Sequence, residues 1–241
     1  MSKKVSLGTW ITINSVIVAE LLAMRDFDWL CIDLEHSVTD YNEMLSMIAV
    51  IQGRGKEAFV RVGDNDSLII KRALDAGADG IIVPMVKSKE EAQKAVDAIY
   101  YPPIGTRGVG LARAQEYGFG FEGYRDSKSK NIKLIVQIEH IDAINDIEAI
   151  IDTEGVDGTF IGPYDLSGSM GKPGQWNEPD VIEALSRFEK VVKTKDKLIG
   201  THVIEPDQTV LNKKIEEGYN FIAFSLDTLF LGSKVDEELN I

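Results

Sequence analysis

The stretch that decides the fold is residues 133–165, KLIVQIEHIDAINDIEAIIDTEGVDGTFIGPYD. Two short apolar runs, at 134–138 and 158–161, flank a segment whose apolar residues have helical spacing. Glu139 follows the first run, and Asp165 follows the second after a Gly-Pro turn. Parallel strands joined by one helix begin at the same edge of a sheet, so these carboxylates should converge above one rim. Hard divalent cations prefer oxygen ligands of this kind, so the unit predicts a metal site as well as a fold.

The same alternation runs along the whole chain. Strands are predicted at 5–13, 29–35, 58–63, 80–86, 133–139, 158–163, 198–203 and 221–226. Helices are predicted at 15–25, 41–52, 67–76, 89–99, 143–152, 179–193, 206–217 and 227–238. About eight strand–helix repeats predict an α/β fold of the (β/α)8 TIM-barrel type, with residues 1–241 as a single domain. An open doubly wound sheet is the alternative, which is weakened because no G-x-G-x-x-G motif follows the first strand.

Composition limits the partners and the compartment. Lys and Arg number 26 and Asp and Glu 39, and the formal net charge of −13 argues against nucleic acid or an anionic membrane as partner. No apolar run is long enough to span a bilayer. Cys31 is the only cysteine, which excludes an intrachain disulfide and favours a reducing compartment. Because Asn14 and Glu20 interrupt the N-terminal apolar stretch, we expect no signal peptide and a cytoplasmic location.

Two regions lie outside the regular repeat. Residues 101–132 form a long loop of the kind that is functional or lies at an interface. Phe119, Phe121 and Tyr124 in this loop would be costly to expose. Apolar residues near the C-terminus, including Leu229 and Leu231, indicate a homo-oligomer.

Strand alternation predicts which side chains face the barrel interior, because the apolar neighbours on each strand share the helix-facing side. The side chains predicted to point inward at strand ends are Asp33, Glu35, Arg61, Gln137 and Glu139. An arginine inside a barrel is expensive unless it is paired, so Arg61 should meet carboxylates or an anionic substrate. Structural alternatives remain: Asp165 could cap a short helix, Glu139 could pair with Arg61, and His36 could be an ordinary loop histidine.

Several motifs together resemble one family over nearly the whole chain. They are DLEH at 33–36, VRV at 60–62, VPMV at 83–86, YPP at 101–103, RGVG at 107–110, VQIE at 136–139 and GTFIGPYDLS at 158–167. In this order they look like the HpcH/HpaI family of metal-dependent, class II pyruvate aldolases. The resemblance implies an enzyme that reversibly cleaves a 4-hydroxy-2-oxo acid to pyruvate and an aldehyde, and it implies assembly into hexamers that exchange the last helix.

The resemblance also implies roles for individual residues. Glu139 and Asp165 would hold the divalent cation, which is usually Mg²⁺, Mn²⁺ or Co²⁺ in this family. Gln137, with the backbone around Tyr164 and Asp165, would bind the pyruvate carboxylate. Arg61 would stabilise the enolate, and His36 would be the base. Asp75 would be the acidic partner of His36. Asp75 ends a helix and should lie near the opposite face of the barrel, so by strand position Asp33 is the nearer candidate for the partner of His36.

The sequence departs from the family pattern at three positions near the site. Leu34 stands where relatives often have glycine, Tyr164 where a small residue is usual, and His202 in a stretch that is usually apolar. These departures bear on the substrate more than on the reaction. Two other functions are considered: a CoA-thioester lyase or another metal-enolate enzyme on the same barrel, and a non-catalytic ligand-binding barrel. No lysine falls at an inner strand end, which argues against a Schiff-base mechanism.

Overall fold

The computed structural model describes residues 4–240 and shows a closed barrel of eight parallel strands, paired in chain order. The strands are β1 (Ser6–Ile11), β2 (Trp29–Asp33), β3 (Glu57–Arg61), β4 (Gly80–Val83), β5 (Lys133–Ile138), β6 (Gly158–Ile161), β7 (Leu198–Val203) and β8 (Phe221–Leu226). The predicted TIM barrel is confirmed. The open-sheet alternative is wrong, because β8 pairs with β1 and closes the sheet. Residues 1–3 and 241 of the predicted domain lie outside the described residues.

The helices lie between the strands and after the last one. They are α1 (Val16–Ala23), α2 (Tyr41–Gly53), α3 (Ser67–Ala76), α4 (Lys89–Ile99), α5 (Phe121–Asp126), α6 (Ile141–Asn145), α7 (Ile147–Asp152), α8 (Pro163–Ser169), α9 (Pro179–Val192), α10 (Gln208–Glu216) and α11 (Asp227–Leu239). Several begin at a side chain that accepts a hydrogen bond from a first-turn N–H group, namely Ser15, Asp40, Asp66, Ser88 and Asp207. Gly77 ends α3 at φ 105°, a left-handed conformation that suits glycine.

Several predictions about the elements need correction. The helix predicted at 143–152 is two short helices, α6 and α7. Helix α8 was considered in the sequence analysis only as a short helix that Asp165 could cap, because Gly162 and Pro163 suggest a turn. The structure forms the helix, since proline is well suited to its first position. The strand predicted to reach Glu35 ends at Asp33, because the N–H groups of Glu35 and His36 bond to the Asp33 carboxylate rather than to a neighbouring strand.

The segment predicted as a loop at 101–132 contains short helical turns, α5 and the 3-10 segments Arg113–Gly118 and Lys128–Asn131. Tyr124 is buried and accepts a hydrogen bond from Arg107 (2.9 Å). Phe119, in contrast, is 97% exposed in the single chain described by residues 4–240.

Aromatic side chains fill the lower part of the barrel. Trp29 stacks on Phe221 with the ring centroids 4.3 Å apart, and Phe59 packs against both rings. Gly8 and Gly80 leave the space that these rings occupy, since a Cβ at either position would lie about 2 Å from a ring atom. The barrel is therefore a packed core below, and the open space lies at the carboxyl ends of the strands.

The predicted alternation of inner and outer side chains is confirmed. Val60, Val62, Leu134, Val136 and Ile138 belong to the apolar core between the strands and the helices. The intervening strand residues form a separate apolar cluster inside the barrel, which leaves the polar residues of β2, β3 and β5 facing inward above it. Among residues 4–240, no helix is long and apolar enough to cross a membrane.

Candidate active site

A cavity of about 690 Å³ opens at the carboxyl ends of the strands. This is the end of the barrel at which TIM-barrel enzymes place their chemistry. The predicted site residues that line it are Asp33, His36, Arg61, Gln137, Glu139, Tyr164 and Asp165. Asp75 is the predicted residue that the structure does not bring to this cavity.

Arg61 is held in a fixed orientation at the end of β3. Its Nε and one terminal nitrogen donate to the two oxygens of Asp33, at 2.9 and 2.6 Å. Its guanidinium also lies 3.3 Å from the Glu35 carboxylate and 4.4 Å from the centre of the Trp10 ring. Burial by itself would lower the pKa of Arg61, but the hydrogen bond and charge of Asp33, together with the charge of Glu35, raise it above its usual value. Arg61 is thus a fixed cation pointing into the cavity.

Asp33 is only 1% exposed and does two structural jobs. Besides binding Arg61, its Oδ1 accepts hydrogen bonds from the backbone N–H groups of Glu35 (3.0 Å) and His36 (3.3 Å). The loop after β2 is thereby folded over the strand end. Asp33 therefore positions the backbone of His36, and its carboxylate forms no contact with the imidazole ring.

The His36 ring is 68% exposed at the rim of the cavity, and its Nε2 lies 3.6 Å from the Glu35 carboxylate. Glu35 thus lies beside both the imidazole and the Arg61 guanidinium. Burial, partly offset by the charge of Arg61, raises the pKa of Glu35. Strand alternation predicted that Glu35 faces inward, but its contact with His36 depends on the loop turn made by Asp33, for which the sequence gives no clear signal.

Asp75 lies at the end of α3, on the side of the barrel where the 101–132 segment returns. Its carboxylate accepts hydrogen bonds from Arg107 (2.7 Å) and Gln115 (3.4 Å). The Arg107 side chain is fully buried, so this ion pair secures the long segment against α3. Within residues 4–240, no hydrogen bond or ion pair joins Asp75 to His36.

Glu139 follows β5 and is only 5% exposed. Its Oε1 accepts a hydrogen bond from the Met85 N–H (2.7 Å), and its Oε2 accepts one from the Gln137 amide (2.9 Å). Burial is the main reason that the pKa of Glu139 rises to about 7; the Met85 bond lowers it, while the nearby Glu35 and Asp165 carboxylates raise it further. Met85 reaches Glu139 from a left-handed backbone conformation, φ 54°, which is unusual for a residue other than glycine.

Asp165 lies in the first turn of α8, and its side chain is not the cap of that helix. Gly162 occupies the N-cap position, so the prediction of a capping role for Asp165 is wrong. A carboxylate in the first helical turn is stabilised by the helix dipole. No residue within 4–240 donates a hydrogen bond to this carboxylate, which leaves it available to a ligand in the cavity.

The donor set fits a hard divalent cation. Glu139 and Asp165 supply carboxylate oxygens, and the buried Gln137 Oε1 has no hydrogen-bond partner among residues 4–240. The mutual repulsion of Glu35, Glu139 and Asp165, which contributes to the raised pKa of Glu139, would be relieved by a cation. No group of three or more His, Cys, Asp or Glu residues in the described part of the chain could hold a metal ion alone. The fit is therefore to a cation that takes two carboxylates and completes its shell with water or substrate oxygens, as Mg²⁺ commonly does.

Gly162 makes room for Glu139. A Cβ at this position would lie 2.8 Å from Glu139 Oε2 and 2.9 Å from Glu139 Cβ. Tyr164 and Trp176 form the outer wall nearby, with ring centroids 5.9 Å apart in an edge-to-face contact. Gly162 and Trp176 were not identified from the sequence, because one lies in an apparent turn and the other in an irregular segment between helices.

One cavity of this TIM barrel contains the fixed Arg61, the buried carboxylate of Glu139 and the free carboxylate of Asp165. This combination is typical of barrel enzymes that stabilise an oxyanion during the reaction. The family model described as HpcH/HpaI aldolase/citrate lyase matches residues 6–231, and the chain belongs to this family. Family members are generally divalent-metal dependent.

Three relatives illustrate the similarity. The chain is 39% identical to a hydroxypyruvate/pyruvate aldolase of Sagittula stellata, over 93% of this chain and 88% of that protein. It is 36% identical to a 2-dehydro-3,6-dideoxy-6-sulfogluconate aldolase of Pseudomonas putida, over 97% and 91%. The crystal structure of an HpcH/HpaI aldolase/citrate lyase family protein from Burkholderia cenocepacia J2315 superposes with a TM-score of 0.92 at 32% identity, covering 98% of this chain and 94% of that one. The prediction of an aldolase is confirmed by these relatives, and the non-catalytic alternative loses its support.

Proposed function

We propose that this enzyme cleaves a 4-hydroxy-2-oxo acid reversibly to pyruvate and an aldehyde, using a bound divalent cation and the cavity described above. The observation that carries the proposal is the convergence of Arg61, Glu139 and Asp165 on one cavity. An aldol cleavage leaves an enolate, so a site for it needs fixed positive charge where that oxyanion develops. Arg61, locked by two hydrogen bonds to Asp33, meets this requirement.

Glu139 and Asp165 would hold the cation, with Mg²⁺, Mn²⁺ or Co²⁺ as the proposed metals. When bound, the cation supplies Lewis acidity toward the 2-oxo group of the substrate. The hydrogen bonds from Met85 and Gln137 fix both oxygens of Glu139, so this ligand requires little rearrangement on binding.

The substrate carboxylate is proposed to bind beside α8. The N–H groups at Tyr164 and Asp165 open this helix and have no intrahelical partner, so they can donate to an anion. Gln137 lies on β5, next to β6, and its amide nitrogen, which donates one N–H to Glu139, has a second N–H that can donate to the substrate. These contacts would place the 2-oxo oxygen within reach of Arg61.

His36 is proposed as the base that takes the proton from the 4-hydroxyl group. Its ring stands at the rim of the cavity, where the aldehyde half of the substrate would enter and leave. Glu35, 3.6 Å from Nε2, would stabilise the imidazolium that forms. As the C3–C4 bond breaks, its electrons move toward the 2-oxo carbon, and Arg61 stabilises the resulting enolate oxygen.

The CoA-thioester alternative finds no support in the cavity surroundings. Arg107 and Arg113 were the basic residues that could have served a nucleotide. Arg107 is buried against Asp75 and Tyr124, and Arg113 donates to the carbonyl of Ala76. Arg107 is therefore not free to bind a phosphate, and Arg113 is directed toward α3 and does not line the cavity.

The single-domain organisation, the cytoplasmic location and a homo-oligomeric assembly, hexameric by family resemblance, are also part of this proposal. Supporting the assembly, Leu231, Val235 and Leu239 recur every four residues on α11 and are each about half exposed or more. Such a stripe on one helix face is typical of an interface. Light scattering during gel filtration measures the assembly directly, and a monomer at micromolar concentration would overturn it.

The decisive test of the reaction is pyruvate release from a 4-hydroxy-2-oxo acid, followed with lactate dehydrogenase. The protein is assayed as purified, with EDTA, and with each of Mg²⁺, Mn²⁺ and Co²⁺ restored after EDTA treatment. We expect EDTA to abolish release and at least one metal to restore it. Release that persists unchanged in EDTA, or no release with any metal from folded protein, would overturn the proposal.

A further inference from the structure

His202 is a partly buried titratable residue that the reaction described above does not use. It lies near the end of β7 and lines the same cavity as Arg61 and Glu139. Its Nε2 lies 3.1 Å from the carbonyl oxygen of Ser225, and its ring meets Trp10 edge to face at 6.1 Å between centroids. These contacts hold the imidazole in one orientation between β1 and β8.

The hydrogen bond to Ser225 determines the tautomer of His202. A carbonyl oxygen can only accept, so the proton is on Nε2, and Nδ1 carries a lone pair. Burial lowers the pKa of His202 to about 4; the Ser225 bond opposes this shift and the charge of Arg61 adds to it, so the ring is neutral at neutral pH. No residue within 4–240 donates a hydrogen bond to Nδ1. The cavity therefore contains a fixed, uncharged hydrogen-bond acceptor.

Apart from Thr12 and Thr228, the cavity residues around His202 are apolar. Trp10, Ile204 and Leu226 contribute apolar surface to this wall of the cavity. The Thr12 hydroxyl is already committed to Asp227, at 2.7 Å, and Asp227 also accepts the N–H groups of Thr12 and Ile13. Asp227 thus ties the end of β1 to the start of α11 and makes this wall rigid.

His202 lies in the part of the cavity that we assign to the aldehyde half of the substrate. In the proposed function, on which this inference rests, the 2-oxo acid half lies among residues of β3, β5 and α8. The cavity continues from there to the wall formed by β7, β8 and β1, which offers space for the part of the substrate beyond C4. An acceptor on this wall would be left without a partner by a purely alkyl aldehyde.

We propose that His202 is a specificity-determining residue that accepts a hydrogen bond, through Nδ1, from a hydroxyl group on the aldehyde half of the substrate. The enzyme accordingly favours hydroxyaldehydes over the matching alkyl aldehydes. A carboxylate at the same place gains nothing, because the neutral ring offers it no proton and no charge.

The test compares aldol addition of pyruvate to matched aldehydes, glycolaldehyde against acetaldehyde and glyceraldehyde against propanal. The metal-loaded wild type is measured beside His202→Leu, which removes the acceptor, and His202→Gln, whose amide can donate to Ser225 and still offer an oxygen. Ile204→Ala, on the same wall, is the control for a change of volume alone. Aldehyde hydration cancels when the ratio of kcat/KM values is compared between variants.

We expect the wild type to prefer each hydroxyaldehyde, and His202→Leu to reduce that preference about tenfold, as for the loss of one hydrogen bond whose partner stays buried. His202→Gln should keep most of the preference, and Ile204→Ala should change both members of a pair alike. A wild type without preference overturns the inference whether or not the variants fold. So does a His202→Leu enzyme that keeps the preference within twofold.

Exchange of the pyruvate methyl protons in D2O, followed by NMR, separates this inference from the aldolase proposal, because exchange needs pyruvate and the base of the site but no aldehyde. Metal-dependent exchange without preference between aldehydes overturns the role of His202 and leaves the aldolase proposal standing. Absence of exchange in the metal-loaded wild type overturns both.

Discussion

The Arg61 guanidinium and the Asp33 carboxylate form a two-point contact at 2.9 and 2.6 Å across the neighbouring strands β2 and β3. Asp33 and Arg61 are register partners, so the sheet itself places the two side chains together on the inner face. The Asp33 carboxylate also accepts hydrogen bonds from the backbone N–H groups of Glu35 and His36, in the loop that carries the imidazole. One buried carboxylate thereby fixes both the proposed enolate stabiliser and the backbone of the proposed base.

Replacing Arg61 with alanine should remove the fixed charge at the enolate oxygen. We expect kcat to fall by about 10²–10³, or about 3 kcal/mol of transition-state stabilisation, as for loss of one preorganised oxyanion donor. Steady-state kinetics of pyruvate release measures this change. Arg54→Ala is the matched control, since Arg54 is an exposed arginine paired with Glu20 on the outer helices and should leave the kinetics unaltered. Near-normal activity of Arg61→Ala would contradict the proposed role.

Replacing Asp33 with alanine should remove both hydrogen bonds of Arg61, which is only 15% exposed, and leave it only the 3.3 Å contact with Glu35. Breaking a buried pair in this way destabilises a protein by about 3–5 kcal/mol. The double variant Asp33→Ala with Arg61→Ala should recover part of that loss, because the guanidinium is then removed together with its carboxylate partner. Urea unfolding of the wild type, both single variants and the double variant measures the coupling, and additive losses would show that the pair contributes no specific interaction.

The sequence was sufficient to predict the barrel and the inner faces of β2, β3 and β5, because both depend on local periodicity. It was also sufficient to bring Arg61, Glu139 and Asp165 to one rim. The partner of His36 could not be predicted, because the contact with Glu35 arises from a loop turned by hydrogen bonds to Asp33. The N–H of Met85 was missed for a similar reason: its left-handed backbone is imposed by tertiary packing and has no residue-type signal.

Replacing Gly162 with alanine should weaken cation binding without unfolding the barrel. The added Cβ would lie 2.8 Å from Glu139 Oε2, so the carboxylate has to move away from the position that Met85 and Gln137 maintain. Displacing the support of a metal ligand typically costs about 10–100-fold in affinity. Calorimetric titration with Mn²⁺ measures the effect. Gly168→Ala in the same helix meets nothing within 4 Å and should bind Mn²⁺ like the wild type. Equal affinities for the two variants would show that the space at position 162 is not needed by Glu139.

The raised pKa of Glu139 should make the stability of the EDTA-treated protein fall as pH rises through the range from 4.5 to about 7. The pKa of Glu139 is about 7 in the folded protein and near 4.5 in the unfolded chain. Between these values Glu139 keeps its proton in the folded protein and has released it in the unfolded chain. Folding is therefore favoured on the acid side, and about 3 kcal/mol of this contribution is lost by the time both forms are ionised. Urea unfolding at several pH values measures it. A glutamine at position 139 cannot titrate, so in Glu139→Gln the free energy of unfolding should not show this decline with pH. The contributions of all other titratable groups should be the same as in the wild type.

Saturating Mg²⁺ should remove the same decline from the wild type, because a cation favours the ionised carboxylate in the folded state. Parallel curves for EDTA-treated wild type and Glu139→Gln would contradict the assignment of a raised pKa to this residue.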